Sequence, residues 1–158
     1  MILHSLIHFQ LKKELNINQK KYIIVGNNKY CFIPLFIRKR PIKSSHWLLI
    51  FLDKSFELIQ VYVIDSFNHY FTHKKTLSTI SMIIDAFKDT ENFNKEVTVS
   101  NVKILDQLTY WECGYRMIKV AKILTENNFN INSLSTFDYA DFINNFVPQI
   151  AENQIDFK

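Results

Sequence analysis

The spacing of apolar positions changes period several times along the chain, and each change marks an element. Ile2, Leu3, Leu6, Ile7, Leu11 and Leu15 recur near helical spacing, which predicts an amphipathic helix at the start. Tyr22–Val25 and Tyr30–Ile37 are rich in β-branched and aromatic residues. Gly26-Asn27-Asn28 between them is turn chemistry, so the two runs are expected to pair as a hairpin. Pro34 has no N–H to offer a ladder, which assigns the second run to an edge or a bulge.

His46–Leu52 and Phe56–Ile64 are two apolar runs joined by Asp53-Lys54-Ser55, a second hairpin whose strands are expected near the centre of a sheet. Leu77, Ile80, Ile83, Ile84 and Phe87 then recur with a helical period over Thr76–Lys88, and Val97–Leu105 returns to strand composition. Met117, Ile118, Val120, Ala121 and Leu124 predict a mostly buried helix beginning near Cys113 and ending near Asn127-Asn128. Phe137–Ile150 reads as a last amphipathic helix. The order α-β-β-β-β-α-β-α-α predicts an α+β fold over residues 1–158, one domain with helices packed on a mixed central sheet.

Composition agrees with that reading and narrows the function classes. A chain of 158 residues with 47% apolar content can bury a full core without disulfides or metals. Two cysteines, Cys31 and Cys113, are too few for a disulfide framework or a thiolate metal site. A reducing compartment is therefore expected, cytoplasmic or nuclear, or a host cell if the chain is an effector. His4, His8, His69 and His73 lack companion cysteines or a matching Glu spacing, so no metal and no cofactor are expected. No apolar run approaches the ~18 residues of a membrane span. Residues 11–43 hold nine Lys and Arg against one acid, Glu14, so the rest of the chain is net negative by four under an overall charge of +4. Such a block reads first as a solvated loop, and nucleic acid is not the expected partner.

The chemistry lies in four side chains. A cysteine hydrolase needs a thiolate, an imidazole within reach, a group that orients the imidazole and a donor for the developing oxyanion. Cys113 stands at the start of a predicted helix, where unpaired N–H groups and the macrodipole favour an anion. His46 opens one strand of the second hairpin and Asp65 closes the other, so the hairpin brings imidazole and carboxylate to one end of the sheet. Gln107 lies six residues before Cys113, close enough for its amide to return toward the sulfur.

His46-Trp47, the strand end Val63-Ile64-Asp65-Ser66, and Gln107 followed by Cys113-Gly114 stand in an order that resembles the ubiquitin-like-protein-specific cysteine proteases, clan CE. Cys31-Phe32-Ile33-Pro34-Leu35 resembles the strand that precedes the catalytic hairpin in that family, and Gly114-Tyr115 its helix start. The resemblance implies a papain-like-related fold with Cys113, His46, Asp65 and Gln107 as catalytic residues. It also implies a ubiquitin-like modifier as partner and Trp47 as the ring covering a channel for a diglycine tail. Trp111 is either a wall of that channel or an anchor in the core. Asp106 and Glu112 flank the proposed site, and as acids facing an arginine-bearing tail they favour ubiquitin over SUMO or NEDD8. Leu-Thr-Tyr-Trp-Glu between Gln107 and Cys113 is bulkier than the segment usual in SUMO proteases, and the chain is short for the family. Two other readings stand beside this one. They are an effector-type acetyltransferase using the same His-Asp-Cys set, and an inactive module that only binds a modifier.

Overall fold

The computed structural model describes residues 28–37, 45–67, 70–88, 95–104, 109 and 111–154. The expected first helix, the strand at Tyr22–Val25, most of the basic block, Asp106 and Gln107 lie outside these residues. The described elements are β1 (Tyr30–Ile37), β2 (His46–Asp53), β3 (Ile59–Asp65), α1 (Lys74–Lys88), β4 (Val97–Lys103) and α2 (Glu112–Glu126). A 3-10 segment (Ile131–Thr136) follows, then α3 (Tyr139–Asp141), a π turn (Phe142–Phe146) and α4 (Val147–Gln154).

The four strands lie in chain order across one sheet, with β1, β2 and β3 antiparallel and β4 parallel to β3. A parallel neighbour requires a crossover rather than a tight turn, and α1 is that crossover. This is the α+β architecture with a mixed sheet that the sequence predicts, and among the described strands β1, which carries Pro34, is at the edge. The turn of the β2–β3 hairpin is wider than expected, because β3 begins at Ile59 rather than Phe56. Phe56 is 57% exposed in that turn, so its apolar side chain does not extend the strand.

Alternation along β2 sorts its side chains to two faces, which is why the strand is apolar almost throughout. Leu48, Ile50 and Leu52 join Val61 and Val63 of β3 in a core closed by Ile80, Ile83, Ala86 and Phe87 of α1. Leu49 and Phe51 join Ile64 in a second core under Met117, Val120, Ala121 and Leu124 of α2. Each such side chain stabilises the fold by about 1.5–3 kcal/mol when fully buried, so the sheet is clamped between α1 and α2. Cys31, on β1, is packed in the α1-side core as a small apolar residue. Burial pushes its thiol up to about 11, only partly offset by the charge of Lys54.

The C-terminal stretch is less regular than its periodicity suggests. The expected helix over Phe137–Ile150 is present as one continuous helical run from Tyr139 to Gln154, in which α3 and α4 are joined through the π turn. The side chain of Asp138 caps the first turn by accepting from the N–H groups of Ala140 and Asp141. The 3-10 segment before it, absent from the sequence reading, is nucleated by Asn130, whose side chain accepts from Asn132 N–H.

Candidate active site

His46 and Asp65 occupy ends of neighbouring strands, and the register decides whether they meet. Leu49 pairs with Ile64 and Ile50 with Val63, which by alternation puts Asp65 on the same face as Leu48 and His46. The His46 ring Nε2 and Asp65 Oδ1 are 2.7 Å apart, with both side chains buried. With Nε2–H donating to the carboxylate, Nδ1 is the nitrogen left to act as base, and it is buried with no nitrogen or oxygen hydrogen-bonded to it among the described residues.

The carboxylate of Asp65 is itself held. Phe67 N–H donates to Oδ1 and Tyr70 N–H to Oδ2, each at 2.9 Å. Burial opposes ionisation of Asp65, but His46 and the two backbone donors outweigh it and hold its pKa below the usual carboxylate value.

Cys113 comes from the other layer, at the second position of α2. The N-cap residue, Trp111, makes no side-chain cap bond, and the one acid of the first turn, Glu112, is tied to Arg116. Burial would raise the thiol pKa, yet the His46 side chain, the backbone N–H groups of Trp47 and Gly114 and the His46 charge together lower it. His46 responds reciprocally. Burial opposes its charged form, while Asp65 and Cys113 raise its pKa above the ordinary value. These opposite shifts favour a thiolate–imidazolium pair.

Trp47 is half-buried beside this pair. Its indole packs on Phe36, with ring centroids 4.8 Å apart, and lies 3.6 Å from where a Cβ on Gly114 would stand. It thus roofs the start of α2 next to Cys113. A small cavity next to the thiol is lined largely by apolar side chains, Leu49, Ile64, Ile104 and Met117 among them, together with Ser66 and Arg116.

Two expected substrate contacts resolve differently. Trp111 is 53% exposed with its ring edge-on to Tyr115, so it is not a core anchor. Glu112 is fully buried and is not a rim charge. Its Oε2 accepts from Arg116 Nε and Nη2 at 3.0 and 2.9 Å, and its Oε1 accepts from the Thr109 and Tyr139 hydroxyls at 2.6 and 3.1 Å. The Arg116 guanidinium lies 5.3 Å from the ring centroids of Phe137 and Tyr139 and 5.5 Å from that of Phe142. Sequence reasoning missed this network. The Glu112/Arg116 spacing of four within a helix was its one visible signal.

Among the described residues no cluster of His, Cys, Asp and Glu is arranged to hold a metal ion. His73, weighed as a ligand, instead accepts from Lys75 N–H through Nδ1 at the start of α1. No described helix is long and apolar enough to cross a membrane.

The sheet and the helices packed on it have a fold similar to that of solved SUMO proteases. A de-sumoylating protease superposes with a TM-score of 0.52 at 18% identity over 75% of this chain. SUMO protease Ulp1, solved with its catalytic cysteine oxidised to a sulfonic acid, gives 0.52 at 16% over 88%. An ASFV protease is more distant, at 0.45 and 14% over 74%. The chain spans 46%, 61% and 39% of those three chains. No family profile matches the chain, and no curated protein matches its sequence. At such identities the likeness establishes the fold, and the chemistry rests on the side chains.

Proposed function

We propose that the protein is a thiol peptidase or isopeptidase that cleaves after the C-terminal glycine of a ubiquitin-like modifier. The observation that carries this reading is the buried 2.7 Å His46–Asp65 pair coupled to a cysteine whose pKa is lowered. In the proposed reaction the Cys113 thiolate attacks the glycine carbonyl, and the His46 imidazolium gives its Nδ1 proton to the departing amine as the C–N bond breaks. A thioester remains. Neutral His46 then takes a proton from water as the hydroxyl adds, and collapse releases the thiolate and a carboxylic acid, which gives its proton to solvent. Gln107 is proposed as an oxyanion donor on its spacing from Cys113. Trp47 over Gly114 supports a narrow entry that a diglycine tail fits and a branched one does not.

Of the two acids behind the preference for ubiquitin, Glu112 faces Arg116 and not a substrate tail, so that preference now rests on Asp106, which lies outside the described residues. The test is a panel of electrophilic probes built on ubiquitin, SUMO and NEDD8, applied to the native chain and to Cys113→Ala. Labelling by at least one probe, lost in the variant, is expected. Binding of unreactive modifier without labelling by any probe would replace the peptidase with a binding module.

A further inference from the structure

The segment following β3 folds back over the proposed catalytic pair, and Tyr70 there touches both of its members. The Tyr70 backbone N–H donates to Asp65 Oδ2 at 2.9 Å. Its ring lies against the His46 imidazole with centroids 4.6 Å apart and planes inclined by 20°, a face-to-face stack. Phe67 adds a second ring at 5.1 Å, inclined by 52°. Tyr70 is itself 8% exposed and packs in the α1-side core, so the ring is held where it is.

An aromatic face carries partial negative charge and attracts a cation placed over it, more strongly where water is excluded. Imidazole offers the Tyr70 face little such attraction while neutral and gains it on protonation. Resting on the peptidase reading above, we propose that Tyr70 is a positioning residue whose ring face stabilises the imidazolium of His46 and so raises the share of Cys113 held as thiolate. Among the described residues, the titratable groups facing the His46 ring are Asp65 from the end of β3, Cys113 from α2 and Tyr70 itself. His73 lies against Tyr70, at 5.9 Å between centroids.

The role is separable from packing. Asp65 is bound by the Tyr70 main chain, so side-chain variants leave that bond in place. The experiment is the pH dependence of Cys113 alkylation by iodoacetamide on the full chain, with Cys113 distinguished from Cys31 by peptide mass mapping. Tyr70→Phe keeps the ring and is expected to overlay the native profile. Tyr70→Leu is expected to move the alkylation midpoint to higher pH and to slow alkylation at pH 6 by about two- to tenfold, the range of a cation–π contact. Rates should converge at high pH, where both proteins are thiolate. If Tyr70→Leu does not fold, pentafluorophenylalanine at position 70 keeps the shape while reversing the polarity of the ring face, and the same shift is expected. A native midpoint below that of free cysteine with unchanged profiles in the folded leucine or fluorinated variants would overturn this inference alone, as would a shift in Tyr70→Phe. A native midpoint at the free-cysteine value would overturn the peptidase reading with it.

Discussion

At the scale of the residue, the site is set by how many partners each ionised group has. Asp65 accepts from His46 Nε2, Phe67 N–H and Tyr70 N–H, enough to keep it charged in a dry setting. Its folded pKa lies below its unfolded value, so the stability it contributes is present above about pH 4 and is lost as pH falls through the folded value. Asp65→Asn is expected to flatten the acid limb of the native stability curve, read as melting temperature against pH. His46→Ala is expected to lower probe labelling or turnover by at least about two orders of magnitude, the low end of what a positioned base supplies, with the melt showing whether the fold persists. The peptidase reading also predicts a bell-shaped rate profile. Activity rises as the lowered Cys113 thiol ionises and falls as the raised His46 imidazolium loses its proton. A single ascending limb with no alkaline fall would contradict the ion-pair arrangement.

At the scale of the element, α2 carries both the proposed nucleophile and its own anchor. Glu112 and Arg116 frame Cys113 in sequence but face inward, where the carboxylate ties Thr109 to Tyr139 and the guanidinium sits among three rings. Removing one partner strands a buried charge. Glu112→Ala or Arg116→Ala should each destabilise the fold by about 3–5 kcal/mol, and replacing both with apolar residues should cost less than the sum. Denaturant unfolding of the three variants measures this, and additive losses would show that the pair is not coupled. The i, i+4 spacing was visible in the sequence, yet it reads equally as a surface pair. Only the packing of Phe137, Tyr139 and Phe142 against Arg116 makes it internal.

At the scale of the whole molecule, the C-terminal stretch completes the interior. Phe142 and Phe146 are buried, Phe137 and Tyr139 cover Arg116, and Lys119 pairs with Asp141 at 2.7 Å. Ending the chain after Thr136 should therefore expose the buried Glu112–Arg116 pair and abolish a cooperative thermal transition, followed by circular dichroism. A shortened chain that melts like the full one would show that α2 needs no cover from this segment.

The local periods determined much of this protein without any tertiary information. The apolar runs of β2 and β3, the helical repeat of α1 and the strand composition of β4 are properties of short stretches, and they identified the α+β order. The ordered His46, Asp65 and Cys113 were legible because each stands at the end of an element where side chains are free to converge. Tertiary structure decided what depends on neighbours distant in the chain. The β2–β3 register put Asp65 on the face of His46, where a slip of one residue would have turned it away. The segment after β3 laid Tyr70 on the imidazole, and the C-terminal rings turned Glu112 from an expected rim charge into a buried anchor. Periodicity reports which face of its own element a residue occupies. What lies against that face is settled only when the layers pack.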